Sequence, residues 1–579
     1  MTYQLKKIRK ELDDYFDSTY KDKVDVISIE ELSRENLLEF KPDFIDDKKW
    51  VDNCRWIIHC IIQLSFDKRY SEHGNQFVPL YSKILKKICG NNYSIYIKAL
   101  IEAGIIETDG EWTALKHKSL GFKLTDSYAA LEYGYFTLTE HFLTKAIRKH
   151  RKDNIAALKV KAKPIAHLVR WLTKDGLDID KKAALEFLES YRLRLKQELR
   201  KRKLKTKFQN IQEAFIQSRY QKARHLIKTW GDKSVSIDDS GGRLYSPLTS
   251  MPSIFRNFLT YKGQTLVSFD IKNSQPLHFL IMLEPDFWKD TSRGLTLKSI
   301  NEDLYNYLRE EEDYPTTNIM FPKTSQVVDN QTTKFTSYKE LVQAGKLYEF
   351  ICFKFFGEFL TPGGLDRFST RNLTKTEVLH MMYHDNRKRY STAKKVYDMF
   401  KTYFPEEAKI MDLMKRKDYK DFPVTLQKIE AKMLLHNVAK KVYDMNPDIP
   451  LFTIHDSIAT TEAFAGNLKG ILNAEYQERL GFLPQIEETT FTEHNAWMDI
   501  AKYVKAKVNQ ADLEVSKVME AYSKLFNFIQ CEHWDFDIKY RQRNSPDIIV
   551  PPILNFTIMD GGTTSLNTNT RQLKKISKK

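Results

Sequence analysis

Two aspartates, Asp270 and Asp456, each follow a short apolar run. Thr265-Leu266-Val267-Ser268-Phe269-Asp270 reads as a buried strand that delivers its carboxylate at the C-terminal end. Pro450-Leu451-Phe452-Thr453-Ile454 reads as a second strand, with His455-Asp456-Ser457 as a turn and Ile458-Ala459-Thr460 as the returning strand. A carboxylate on a hairpin tip beside one at a strand end suits a two-metal site, because Mg²⁺ takes hard oxygen ligands and keeps positions open for phosphate oxygens. Two such ions about 3.5–4 Å apart activate an attacking hydroxyl and stabilise a leaving oxygen. The bland reading of each aspartate is a turn residue.

Between them lies Ser369 to Asn386, where Arg371, Lys375, Leu379 and Tyr383 recur every four residues. On a helix each such step drifts by only about 40°, so the four form one slowly winding stripe. Ser369 or Thr370 is the expected cap, which would put the cations in the first turns, where free N–H groups and the helix dipole favour a polyphosphate. Lys375 and Tyr383 are separated by a rise of about 12 Å, roughly the distance from a nucleotide's phosphate tail to its base. Taken alone, such a stripe is usually a solvated face with an aromatic at its edge.

Other chemistries are disfavoured. No G-x-S-x-G, P-loop or G-x-G-x-x-G is present, and three consecutive residues do not easily build a Ser/His/Asp triad. Five cysteines show no C-x-x-C pairing. Cys54, His59 and Cys60 make a weak metal pattern, and buried thiols in a reducing compartment are the better reading. No run reaches the 18 or more apolar residues of a membrane span, and Met1 to Lys10 is too charged for a signal peptide. A cytoplasmic location, in a bacterium or a virus-infected host cell, is expected, with no membrane partner. No acidic pattern of an exonuclease stands out upstream.

The 579 residues carry a net charge of +16, with 42% hydrophobic residues to build cores. Residues 141–229 hold 25 Lys/Arg against 8 Asp/Glu, which accounts for the whole excess. A charge excess so concentrated points to a polyanion, nucleic acid first. Arg200-Lys201-Arg202-Lys203 is its densest part, while Asp175, Asp178 and Asp180 read as loop and N-cap residues.

Upstream, residues 82–89 and 94–103 have helical spacing, with Gly90-Asn91-Asn92 between them. A hairpin turn at Asp109-Gly110 and the closing run Gly121 to Leu124 follow. Two short helices and a β-hairpin resemble a winged-helix module, although the second helix carries only Lys98, so a protein-facing or packing role is nearly as well supported. The segment beyond Met559 is Gly/Thr/Asn-rich, then basic, and is expected to be disordered.

The order strand-Asp, R-x3-K-x7-Y helix, strand-His-Asp-Ser resembles the three polymerase motifs shared by family A DNA polymerases and single-subunit, phage-type RNA polymerases. Gly242-Arg243-Leu244 resembles the G-R-[LV] segment that precedes the first acidic motif in both groups, and Gly242 to Pro276 looks closest to the transposon and viral polymerase family. The likeness spans about residues 240–500. It implies that Asp270, Asp456 and the Ile271 carbonyl hold two Mg²⁺ ions. Arg371 and Lys375 would bind the triphosphate, with Lys375 donating a proton to pyrophosphate, and Tyr383 would stack near the template-directed pair. His455 would touch the primer end, while Arg243 and Gln427 would read the minor groove. Three positions depart from the pattern. His384 replaces the Gly that usually follows the Tyr. Ser457 follows the second Asp as in the RNA enzymes, where DNA enzymes carry Glu. Gln275 falls where DNA polymerases place a Glu that crowds a ribose 2′-OH, unless a two-residue gap puts Leu277 there.

These readings together predict an α+β right-hand polymerase with palm, fingers and thumb, and an N-terminal, winged-helix-like, largely helical region. The expected parts are 1–75 helical, 76–135 winged-helix-like, 136–235 a basic thumb-like region, 236–300 and 426–505 palm, 301–425 fingers, and 506–579 an extension with a disordered basic tail. The expected activity is DNA-dependent DNA synthesis for a phage or mobile element, acting on a primer–template duplex and nucleoside triphosphates, with a replication helicase or primase as a further partner. An RNA polymerase or primase of the same superfamily is one alternative, and a non-catalytic DNA-binding replication initiator is another.

Overall fold

The computed structural model describes residues 10–14, 16–17, 23–65, 77–110, 119–172, 176–201, 206–230, 235–292, 294–311, 314–315, 337–356, 367–386, 392–506, 508, 555–558 and 564–567. Residues 1–508 form one compact unit and 509–579 a second.

The chain enters through β1 (Asp25–Ile29) and a long helix α1 (Asp47–Ser65). Trp50, Val51, Cys54, Ile57, Ile58 and Ile61 recur at helical spacing on α1 and are buried, so this helix forms the floor of the N-terminal core. Over it lie β2 (Val78–Pro79), α2 (Ser82–Cys89), α3 (Tyr93–Glu102), β3 (Ile106–Thr108) and β4 (Gly121–Leu124). The three strands form an antiparallel sheet in the order β2–β4–β3. Both helices thus arise close to their expected positions. The hairpin differs, because residues 109–120 separate its strands where a tight Asp-Gly turn was expected. Asp109 still works at its base: its Oδ1 accepts from the Gly121 N–H at 2.9 Å. β5 (Tyr133–Thr137) then returns to pair with β1.

Three long helices follow, α4 (His141–Ala162), α5 (Lys181–Arg200) and α6 (Thr206–Lys228), with strand β6 (Leu177–Ile179) before α5. Asp180 caps α5, its side chain accepting from the Ala183 N–H at 2.9 Å. Asp178 Oδ1 accepts from the Ile179 N–H, and Asp175 lies outside the described residues. The Arg200–Lys203 cluster falls where α5 ends; 202–205 lie outside the described residues.

A small hairpin, β7 (Ser236–Ile237) with β8 (Leu244–Tyr245), leads into the main sheet. Its central strand, β10 (Gln264–Ile271), follows β9 (Leu259–Tyr261) through Lys262-Gly263, both with positive φ, as a two-residue turn between twisted strands requires. Helix α7 (Ser274–Met282) comes next, with Pro276 in its first turn. Helix α8 (Arg367–Tyr383) begins before Ser369 and Thr370, so neither caps it. Arg371 therefore stands in its second turn and Lys375 in its third, so Lys375 lies further from the helix start than the expected placement in the first turns.

Helix α9 (Asp421–Ala431) runs on through a π-helical stretch, Lys432–Val438, to Met445. Then come β11 (Phe452–Ile454), β12 (Ser457–Thr461), α10 (Ala465–Leu480) and β13 (Ile486–Thr490). The sheet order is β11–β12–β10–β9–β6, and β13 also pairs with β10. Along β10 the alternation is clear: Val267, Phe269 and Ile271 join the large apolar core, so the even-numbered positions, Asp270 among them, point to the opposite face. In the second unit, β14 (Asn555–Ile558) and β15 (Thr564–Asn567) pair antiparallel.

The two apolar cores divide at the start of the basic helices. One is built from residues 24–147 and the other mostly from 162–482. Cys54 and Cys89 are buried and Cys60 half-buried. All three are free thiols, and His59 Nδ1 accepts from the Ile27 N–H at 3.0 Å. Burial raises the thiol pKa values, which suits packing. Cys531 lies outside the described residues. Among the described residues no helix is long and apolar enough to cross a membrane.

Candidate active site

The distant aspartates meet. Strands β11 and β12 turn through only His455 and Asp456, with Ile454 opposite Ser457, so Ser457 belongs to the strand and the turn is tighter than expected. Its first residue, His455, takes φ 56°, a left-handed conformation that histidine adopts more readily than most residues. β12 lies against β10 with Ser457 opposite Asp270, and the Ile271 N–H donates to the Asp456 carbonyl at 3.4 Å. Asp456 therefore sits beside the end of β10. Burial, and then the Asp456 charge, push the Asp270 carboxyl up to about 7, while Lys375 pulls it down. The Ile271 side chain is in the core and its backbone runs alongside Asp456.

Helix α8 faces this pair. Lys375 is exposed and its charge reaches Asp270. Two turns on, the Tyr383 hydroxyl donates to Gln275 Oε1 at 3.1 Å, and bonds from Gln427 and Arg243 also reach it. The Arg371 backbone belongs to α8, but its side chain lies outside the described residues. Gln275, at the start of α7, faces Tyr383, whereas Leu277 is packed in the core.

The β7–β8 turn brings Arg243 in from another side. Asp238 builds the turn, its carboxylate accepting from Gly241 N–H at 2.6 Å, and Gly242 has φ 69°. A Cβ on Gly241 would meet Gln427 Oε1 at 2.7 Å, so this glycine lets α9 press against the turn. Arg243 is mostly buried and binds Glu430 through Nε at 2.8 Å and Nη2 at 2.6 Å. His455 packs edge-on against Tyr245, with ring centroids 5.4 Å apart.

Four residues absent from the sequence reading belong to this region. Glu430, 1% exposed, binds Arg243 and also accepts from Ser274 Oγ at 3.0 Å and Gln275 Nε2 at 2.7 Å. Glu487 on β13 is directly opposite Asp270, on its other side from Ser457. Residues opposed in antiparallel strands share a face, so a third carboxylate flanks the pair, and its charge adds to the upward push on Asp270. Arg256 donates to the Leu248 and Met251 carbonyls, and both aspartates act on its charge. Lys415, 6% exposed, donates to the Met381 and His384 carbonyls at 2.8 Å each, closing the C-terminal end of α8. No local spacing marks any of the four.

Among the described residues no three His, Cys, Asp or Glu side chains gather as a metal cage. Two neighbouring carboxylates suit Mg²⁺, which is typically held by one or two carboxylates, water and substrate phosphates.

No family model and no curated protein sequence matches the chain. Among solved structures, it is similar to the POL domain of Pol1 from M. smegmatis, in complex with DNA primer-template and dNTP. The TM-score is 0.35 at 11% identity, over 60% of this chain and 73% of that one. The functional reading therefore rests on the site itself.

Proposed function

We propose that the chain is a template-directed nucleic-acid polymerase, most consistent with DNA-dependent DNA synthesis. One observation carries the reading: three segments far apart in sequence converge, bringing Asp270 and Asp456 together near Lys375 while Tyr383 on the same helix closes on Gln275.

In this reading the main sheet is the palm, 301–425 the fingers, and α4–α6 a basic thumb whose phosphate contacts are sequence-independent and salt-sensitive. Asp270, Asp456 and the Ile271 carbonyl would hold two Mg²⁺ ions, which when bound would favour the ionised primer hydroxyl and neutralise the triphosphate. Lys375 and Arg371 hold the phosphate tail. The primer 3′-hydroxyl loses its proton to water, its oxygen bonds to the α-phosphorus, the α–β phosphoanhydride breaks, and pyrophosphate leaves with a proton from Lys375, which water then restores. Tyr383 offers its ring to the nascent pair, and Gln275 crowds the 2′ position of the sugar. Arg243 and Gln427 border the minor-groove side, and His455 the primer end. Catalysis is mostly positioning and electrostatics. The three-stranded module of residues 47–124 is assigned to docking or packing, because Lys98, on α3, pairs with Glu102 at 3.7 Å.

Ser457 favours a second reading, ribonucleotide synthesis, while Gln275 against Tyr383 favours deoxyribose. Extension of a primed DNA template with Mg²⁺, comparing dNTPs with NTPs and with and without primer, decides. Primer-dependent dNTP incorporation is expected. Primer-independent NTP incorporation would favour an RNA polymerase or primase. Sequence-specific DNA binding with no synthesis would overturn the enzyme reading in favour of an initiator.

A further inference from the structure

We infer that Glu430 is a positioning residue for sugar selection, holding Gln275 where it excludes nucleotides that carry a 2′-hydroxyl. The inference rests on the polymerase reading and adds to it a residue without which the gate is not fixed.

The carboxylate sits on α9, away from solvent, and each oxygen has its own task. Oε1 takes Arg243, while Oε2 takes Ser274 Oγ at 3.0 Å and Gln275 Nε2 at 2.7 Å. A carboxylate only accepts, so it dictates which end of the Gln275 amide faces it. With the amide nitrogen committed there, the amide oxygen is the end that receives the Tyr383 hydroxyl at 3.1 Å. A flipped amide would set oxygen against oxygen at Glu430. The bond to a charged acceptor is also stronger than a neutral one. Glutamine has three rotatable side-chain bonds, and apolar packing alone would not choose this orientation.

A second chain of bonds fixes the carboxylate from behind. Ser274 spends its only hydrogen on Glu430, so its oxygen accepts from His278 Nδ1 at 3.3 Å. His278 Nε2 is then the acceptor for the Tyr476 hydroxyl at 2.9 Å. His278 and Tyr476 are fully buried and Ser274 is 5% exposed, so water does not compete. Only one direction satisfies the chain: Tyr476 to His278 to Ser274 to Glu430. A carboxylate present merely to anchor α9 to the β7–β8 turn would need Arg243 alone. Donors from α7 as well mean that Glu430 ties the turn, the gate and α8 into one unit.

Single-nucleotide incorporation tests this, measuring kcat/KM for a dNTP and the matching NTP in the full-length wild type and in Glu430→Gln, Gln275→Ala and the double variant. Assays run well below each variant's melting temperature. Glu430→Gln should lower the dNTP preference about tenfold, mainly by raising kcat/KM for the NTP. The double variant should match Gln275→Ala alone, because both changes act through one side chain. Ser274→Ala, which keeps the buried ion pair, covers the case in which Glu430→Gln fails to fold; it should lower the preference about threefold. A preference unchanged in both Glu430→Gln and Ser274→Ala overturns the inference, and so do additive effects in the double variant. If Gln275→Ala keeps the wild-type preference while dNTPs are still incorporated, the gate lies elsewhere and only this inference falls. If the wild type incorporates no nucleotide, the polymerase reading falls with it.

Discussion

The two cores of the large unit share side chain-to-backbone bonds, but only the sheet-centred one adds a buried network of side chains bonded to one another. In the N-terminal core, side chains bond to nearby backbone. Asp52, 5% exposed, accepts from the Thr139 and Glu140 N–H groups at 2.7 Å each, Trp50 Nε1 donates to the Leu37 carbonyl at 2.6 Å, and His59 takes the Ile27 N–H. In the sheet-centred core, one group, Glu430, Arg243, Ser274, Gln275, His278, Tyr383 and Tyr476, bonds chiefly within itself. Side chain–side chain bonds are a minority in folded proteins, about 10–15%. A cluster of them across separate segments fixes the orientation of side chains, whereas bonds to backbone fix the course of the chain. The first core secures a fold, and the second also fixes the orientation of side chains beside Asp270 and Asp456.

The sharpest way to break that contrast is to change one aspartate in each region. Asp270→Asn or Asp456→Asn should lower incorporation by about 10²–10³-fold or more, the scale of losing a group that acts on developing charge. Primer–template binding, followed by fluorescence anisotropy, should stay close to the wild type. Asp52→Ala should do the reverse. Leaving two backbone donors without their carboxylate should cost about 1–3 kcal/mol in denaturant melts, with kcat intact in the folded protein. Retained extension in both site variants would remove the catalytic assignment.

Next in size is a pH effect on stability from the same carboxylate. Asp270 is held up at about 7, by burial and then by Asp456, against an ordinary value of 3.8. Between those values the folded state keeps a proton that the unfolded state has lost. Stability is therefore intact below about pH 4, falls as pH rises through 7, and is lowest above it. The difference is at most about 4 kcal/mol. Asp270→Asn should remove this component, so above pH 7 the inactive variant should melt higher than the wild type. Added Mg²⁺ should stabilise only the wild type in that range. Identical pH profiles for the two proteins would show that Asp270 is not under this strain.

What was legible in the sequence follows the same divide. The alternation in β10, the hairpin around Asp456 and the four-residue stripe of α8 are local patterns, and they give the right elements. The helix start was placed too late because Ser369 and Thr370 look like caps, yet the helix already runs through them from Arg367. Glu430 was invisible for a different reason. In Gln427-Lys428-Ile429-Glu430-Ala431-Lys432 it looks like an ordinary solvated charge, and only the arrival of Arg243 and α7 makes it a buried hub. Glu487 is likewise defined only by the strand register that sets it opposite Asp270. Long-range pairing chose these residues, and no periodicity records it.

The smallest expected effect is at Lys415, where the two styles of bonding meet: a buried side chain bonds to backbone, as in the N-terminal core, but at the end of the nucleotide helix. Its ammonium reaches the Met381 and His384 carbonyls, and burial pulls its pKa down to about 7. Lys415→Met keeps the length of the chain and removes both donors, so the last turn of α8 loses its cap. The expected cost is about 1 kcal/mol of stability and a rise in nucleotide KM of about two- to fivefold at unchanged kcat, because the helix that carries Lys375 and Tyr383 is less well held. A loss of stability with KM unmoved would place Lys415 with the groups that only secure the fold. A change in KM larger than that caused by Tyr383→Phe would mean that the end of this helix, more than the hydroxyl on it, sets how the nucleotide is held.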